Sequence, residues 1–234
     1  MQNALITGAT KGIGLAIAKA LVREGVNLAI CSRNDKDLWV VKEALLEINP
    51  HVKIFARVAD CSLPDEVRSF AAEAEHKLQP IQIIINNAGM FLPGSILDEE
   101  ENNLQKQLDL NLMAGYELYR YFGKKLMAAR SGHIFNICSI ASKHVVINAG
   151  SYSVTKFAQR GLNDVMREEM KAHQVKVTAV LPGSTLTNSW AGTTIPTEKF
   201  ILPEDVAAAV VGCLKMSRGA NVDELIVRTT TGEI

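Results

Sequence analysis

Short β-branched and apolar runs alternate along this chain with longer segments in which apolar residues recur every three or four positions. ALIT (4–7), NLAIC (27–31), VKIFARV (52–58), IQIIIN (81–86), HIFNIC (133–138), VKVTAVL (175–181) and ELIV (224–227) read as seven strands. They are apolar throughout rather than alternating, so helices are expected on both faces of their sheet. IGLAIAKALVRE (13–24), DLWVVKEALLEI (37–48) and DVAAAVVGCLK (205–215) supply helical patterns between them. This alternation predicts an α/β fold, a doubly wound Rossmann-type three-layer sandwich on a parallel sheet. No Gly/Pro/Ser-rich linker interrupts it, so residues 1–234 are expected to form a single domain. The longest stretch without period is STLTNSWAGTTIPTEKFIL (184–202). Long loops in compact domains are usually functional, and this one reads as a substrate lid.

Composition narrows the partners. The chain has 234 residues, 47% hydrophobic, enough for a sizeable core. Lys plus Arg and Asp plus Glu both number 25, with no basic run of five, which argues against a nucleic-acid or membrane-surface role and for a small-molecule partner. The four cysteines stand singly without CxxC, so neither a disulfide scaffold nor a zinc knuckle is indicated. With no leader pattern and no 18-residue apolar segment, a cytoplasmic location is expected. The five histidines lack metal-ligand spacing, so no metal is expected. Most are read as surface or strand-edge residues, while His144, Met90, Phe91, Ser184 and Trp190 are placed at a pocket mouth.

TGATKGIG, Thr7 to Gly14, lies between the first strand and the first helix. Gly8, Gly12 and Gly14 allow a sharp turn and close approach of a pyrophosphate to the helix N-terminus. The second strand ends in Cys31-Ser32-Arg33-Asn34, where an NAD-binding fold usually sets a carboxylate for the ribose 2′-OH. A guanidinium at Arg33, helped by Lys11, suits a 2′-phosphate, so NADP(H) is favoured over NAD(H). The other reading leaves Arg33 solvated and gives the hydroxyl to Asp35 or Asp37. Those acids better suit a helix first turn, with Asn34 as N-cap and Asp37 at N3. Asp60-Cys61 follows the third strand, and the Asp60 carboxylate either accepts from an adenine amino group or caps a helix. The Asn86-Asn87-Ala88-Gly89 end of the fourth strand either bonds a cofactor ribose or stabilises its own turn.

Leu104, Leu108, Asn111, Gly115 and Leu118 recur on one helical stripe, so Asn111 is a buried carboxamide that needs partners, structural or functional. Asp98 is read as an N-cap with Glu101 at N3. Tyr152 and Lys156 share a helix face four residues apart, and so do Tyr121 and Lys125. Position separates them. Ser139, past the fifth strand, and Tyr152 fall on the rim where strand carboxyl ends gather Gly8, Arg33, Asp60, Asn86 and Pro182-Gly183. Tyr121 and Lys125 lie toward the far end of their helix and read as surface.

Together the glycine loop, Asn-Asn-Ala-Gly, Ser139 and Tyr-x-x-x-Lys resemble the compact short-chain dehydrogenase/reductase family over residues 3 to 228. The resemblance implies a sheet order 3-2-1-4-5-6-7 and a tetrad of Asn111, Ser139, Tyr152 and Lys156. It places Gly8, Thr10, Lys11, Gly12, Ile13, Gly14, Ser32, Arg33, Asp60, Cys61, Asn87, Ala88, Gly89, Tyr152, Lys156, Pro182, Gly183 and Thr185 around the cofactor. It also implies a homodimer or homotetramer formed through helices at 99–130 and 151–173. Hydride transfer to a carbonyl leaves a developing alkoxide that needs a proton. Tyr152 is the natural acid; because a free phenol titrates near pH 10, a cation such as Lys156 is needed beside it. The resemblance further suggests that Lys156 bonds the nicotinamide ribose, Ser139 holds the substrate carbonyl and Asn111 anchors a water relay. The expected activity is NADPH-dependent reduction of a ketone or aldehyde. A 3-oxoacyl-carrier-protein reductase is one alternative, weakened because Val222-Asp223 continues into ELIV rather than the Val-Asp-Gly-Gly many members show. A non-catalytic dinucleotide-sensing regulator is the other.

Overall fold

The structure, a computed structural model, describes residues 2–232. Its seven strands form one parallel sheet in the order β3-β2-β1-β4-β5-β6-β7. They are β1 (Asn3–Thr7), β2 (Asn27–Ser32), β3 (Ile54–Val58), β4 (Ile83–Asn86), β5 (His133–Ile137), β6 (Lys176–Pro182) and β7 (Glu224–Val227). The in-step register (Thr7 with Cys31, Asn86 with Asn136, Ile137 with Val180) brings all carboxyl ends to one rim. The chain reverses direction across the sheet between β1 and β4, leaving a crevice there.

One face is covered by α1 (Gly12–Arg23), α2 (Asp35–Ile48) and α7 (Pro203–Leu214), whose Ile17, Leu21, Leu38 and Val206 pack on Ile6, Leu28 and Val180. The other is covered by α3 (Pro64–Leu78), α5 (Ala114–Ala129) and α6 (Gly150–Lys171), where Phe70, Phe122 and Met166 meet Leu5, Ile84 and Ile134. Central β1 and β4 are buried on both faces; the edge strands β3 and β7 are only partly covered.

Four local expectations are corrected. The stripe through Asn111 is broken because α4 (Asn103–Leu108) joins α5 through a π turn, Asp109–Met113. A π turn inserts one residue, rotating what precedes it by about 100°. Asn103 and Gln107 are therefore buried, and Leu104 is exposed. Second, no helix starts at Asp98. Residues 95 to 99 form a turn closed on the Ser95 carbonyl, and Glu99 is drawn away to the Ser151 hydroxyl on α6. Third, His133 is the exception to the mostly surface or strand-edge reading of the histidines: it is buried at the start of β5, bonded to Thr178 Oγ1 at 2.8 Å and stacked on Phe135. Fourth, residues 184–202 are not structureless. Leu186 N to Ile201 O and Ile201 N to Ser184 O, both 2.9 Å, close the neck of the segment, and Trp190 packs edge-on against buried Phe200. The four cysteines are buried free thiols.

Candidate active site

A cleft of about 790 Å³ opens at the carboxyl rim between the loops after β1, β4, β5 and β6. Beneath its lining lies buried Thr7, whose hydroxyl accepts from the backbone N–H groups of Asn87 and Ala88, each at 3.0 Å. Asn87 answers by donating to the carbonyls of Thr7 and Gly8 at 2.9 Å. Its side chain therefore holds the turn, the second of the two roles open to it. Gly8 (φ +65°) and Gly12 (φ +53°) occupy left-handed backbone, and a Cβ at Gly14 would lie 2.4 Å from Gly8 O. The loop can have this shape only with glycine there.

The N-termini of the helices differ in a way that tests whether a dinucleotide fits. Asn34 caps α2 by accepting from Asp37 N at 3.0 Å, and α3 and α7 open with Pro-Asp-Glu and Pro-Glu-Asp. The first turn of α1, facing the cleft, has neither an acid nor a side-chain cap, a property it shares with α6. Free N–H groups and helix dipole are thus left for an anion, which suits a pyrophosphate.

The residues expected on the adenosine side, Lys11 apart, sit outside the main cleft. Thr10 donates to Ser32 Oγ at 3.1 Å, and Arg33 is exposed with no ion pair among the described residues. Lys11 pairs with Asp37 at 2.9 Å, an exposed contact worth at most about 1 kcal/mol and so easily surrendered. Asp60 Oδ1 accepts from Ser62 N and Oγ, which makes it a turn cap. The Cys61 side chain lies in the core, its sulfur 3.6 Å from Cys31 Sγ, so only its backbone is left to meet a ligand. That hydrogen bond and burial raise the Cys31 thiol well above its usual range.

Gly8, Lys11, Gly12, Ile13, Asn87, Ala88, Gly89, Ser139, Tyr152, Lys156, Pro182, Gly183 and Thr185 all line the cleft, as do Met90, Phe91, His144, Ser184 and Trp190. Ser139 Oγ accepts from Ala141 N at 3.1 Å and retains its own hydrogen to donate. Tyr152 opens α6, with Phe91 edge-on at 5.0 Å. Lys156 is 5% exposed, and its Nζ donates to Ile137 O at 3.1 Å and Gln159 Oε1 at 2.9 Å. The same ammonium sits 5.7 Å from the Tyr152 ring centroid, and among the described residues no carboxylate pairs with it. Beside it, burial pushes the Cys138 thiol up to about 11, against the pull of the Lys156 charge.

Asn111 stands apart. Its amide is spent on Met90 N (2.8 Å), Met90 O (3.0 Å) and Thr155 Oγ1 (3.1 Å), tying the π turn to the loop after β4 and to α6. It sits behind Gly89 and not on the cleft wall. Gln159 and Thr155 went unnoticed in the sequence. Gln159 had a weak local signal, an amide three residues past Lys156 on the same helix; Thr155 had none, its partner lying 44 positions away. Tyr121 and Lys125 share Glu75 of α3, remote from the cleft. Among the described residues no cluster of metal-ligating side chains occurs.

The glycine loop, the uncapped α1 and the Ser139–Tyr152–Lys156 rim meet on one cleft, and the chain belongs to the short chain dehydrogenase family, whose profile matches residues 2–196. It is similar to an uncharacterized oxidoreductase of Staphylococcus aureus, 30% identical over 225 residues and 96% of each chain. It is also similar to the sepiapterin reductase of Chlorobaculum tepidum, 31% identical over 239 residues, covering 98% of this chain and 97% of the relative. Among solved structures, an alcohol dehydrogenase from the archaeon Thermococcus sibiricus complexed with 5-hydroxy-NADP superposes with a TM-score of 0.91 at 26% identity, over 100% and 99% of the two chains. A metagenomic short-chain oxidoreductase in complex with NADP gives 0.85 at 29% identity, over 98% and 97%. Among the described residues, no helix is long and apolar enough to cross a membrane.

Proposed function

We propose that this oxidoreductase is an NADP(H)-dependent carbonyl reductase in which Tyr152 protonates the forming alkoxide. The observation that carries this reading is the buried Lys156 ammonium beside Tyr152 and Ser139, on the same cleft as the open N-terminus of α1. The cofactor supplies the hydride when bound. Gly8, Gly12 and the first turn of α1 would hold its pyrophosphate, Arg33 and Lys11 its 2′-phosphate, and Gly89 and Lys156 the nicotinamide side. Ser139 donates to the substrate oxygen and fixes the carbonyl within reach of the phenol. As the oxygen gains charge, Tyr152 gives up its proton, and the Lys156 ammonium stabilises the phenolate left behind. Asn111 contributes through structure, by holding Met90 and Thr155 in place. Residues 1–234 would act as one domain with 184–202 as lid. Exposed Val154, Phe157 and Val165 on α6 and Tyr116 on α5 favour a homo-oligomer, which light scattering would detect. Relatives complexed with NADP and named as reductases support the cofactor and the direction.

The test is NADPH oxidation against a panel of ketones and aldehydes, with thermal shift comparing NADPH and NADH. Arg33→Asp is expected to raise the KM for NADPH roughly tenfold or more, equivalent to about 1.4 kcal/mol, with little change for NADH. An unchanged ratio would move the phosphate reader elsewhere.

A further inference from the structure

The wall of the cleft beyond Tyr152 has a composition of its own. Phe91, from the loop after β4, stands 45% exposed while its ring meets the Tyr152 ring edge-on. Val145 and Val146, between β5 and α6, are 75% and 41% exposed on the same cleft, and Trp190 closes it from the 184–202 segment. No carboxylate lines this cleft among the described residues, and its lysines and arginine, Lys11, Lys156 and Arg228, belong to the glycine loop, to α6 and to the segment after β7. Exposed aliphatic and aromatic side chains grouped at a cleft mouth mark the place where a ligand covers them. The side chains of Phe91, Val145 and Val146 offer a hydroxyl or a carboxylate nothing in exchange for its hydration, and the polar lining of the cleft comes from other residues, His144, Ser184, Thr187 and Ser189.

We infer that the carbonyl compound taken here carries an aryl or branched apolar substituent, seated on Phe91, Val145 and Val146, with Phe91 as the residue that selects it. The inference rests on the carbonyl-reductase reading and narrows it to a substrate class. Phe91 is suited to the task because it touches the reacting tyrosine and is still half open to a ligand. An aromatic group there would continue the edge-to-face pair that Phe91 and Tyr152 begin.

Three ketones separate the outcomes: 1-phenyl-1,2-propanedione, 2,3-butanedione and dihydroxyacetone, assayed by NADPH oxidation with the full chain. The first two share an activated dicarbonyl and differ by phenyl in place of methyl. The phenyl compound is expected to exceed butanedione in kcat/KM by roughly tenfold or more, since small apolar differences in a pocket are worth that much, and dihydroxyacetone should be poorest. Phe91→Ser should narrow the phenyl-to-methyl ratio several-fold, and Val145→Ser, at an exposed position where folding is not at risk, should narrow it less. Equal or better turnover of butanedione or dihydroxyacetone, or a ratio untouched by both variants, overturns the substrate class and leaves the reductase reading standing. Turnover of none of the three, with NADPH binding intact by thermal shift, removes the reductase reading and the substrate class with it.

Discussion

The chain carries two Tyr-x-x-x-Lys pairs, and their surroundings are opposite. At Tyr121 and Lys125 both side chains reach the carboxylate of Glu75, and Lys125 Nζ lies 3.9 Å from the Tyr121 ring centroid. Burial first, and the Glu75 hydrogen bond second, raise the Tyr121 phenol above its ordinary value. For Lys125, burial pulls down but Glu75 outweighs it and holds the ammonium high. The acid compensates the lysine, and the phenol keeps its proton. At Tyr152 and Lys156 the acceptors on the lysine are a backbone carbonyl and a glutamine amide, both uncharged. They orient the ammonium without cancelling its charge, which stays available to a phenolate. Under the proposed mechanism, spacing makes such a pair possible and the charge of the third partner decides whether it can react.

The largest expected effect tests that contrast directly. Tyr152→Phe should lower turnover about 10³-fold, within the usual range for a lost general acid, with NADPH binding retained. Tyr121→Phe should leave turnover unchanged, and comparable losses in both would erase the distinction. Next, Gln159→Glu would give Lys156 the kind of partner that Lys125 has. A fall in kcat of roughly tenfold to a hundredfold is expected, partly recovered at higher pH, while the neutral Gln159→Met should keep the wild-type pH profile. Identical profiles for the two variants would show that Gln159 only packs.

Burial of a base without any counter-charge is sampled separately by His133. Burial, helped by the Lys176 charge, lowers its pKa to about 3. The unfolded chain, with an ordinary histidine near 6.5, therefore binds the extra proton as pH falls. This contribution is present above pH 6.5 and lost progressively from there toward pH 3. Between pH 6.5 and 5 the loss is about 2 kcal/mol, measurable by urea unfolding, and His133→Gln should flatten the decline. The smallest effect is expected at Glu75. Because its ion pair with Lys125 is solvent-exposed, Glu75→Gln should cost less than about 1 kcal/mol and leave kcat alone.

The sheet and its rim were legible because apolar runs of strand length separated by 3.6-period segments have few other solutions. The loop glycines were legible for the same reason: Gly8 and Gly12 take a backbone few residues tolerate. What escaped notice depends on contacts across the chain or on local insertions. The π turn leaves no periodic trace until a partner fixes the faces of the helix, and Asn111 finds that partner at Met90 and Thr155. The burial of His133 was hidden because a histidine on a strand gives no hint that Thr178 waits on the neighbouring one. Cys61 followed Asp60 onto the rim in sequence, yet its side chain turned inward to Cys31.

The neck formed where Leu186 and Ile201 bond has a consequence for how such a protein can change over time. A segment closed at its base is insulated from the scaffold, since doubling its length adds only about 0.6 kcal/mol of closure entropy. Insertions, deletions and new side chains between 191 and 199 can therefore be tried at little thermodynamic risk, while buried Phe200, β6 and α7 keep their places. The sheet and its rim stay fixed while this segment is free to vary.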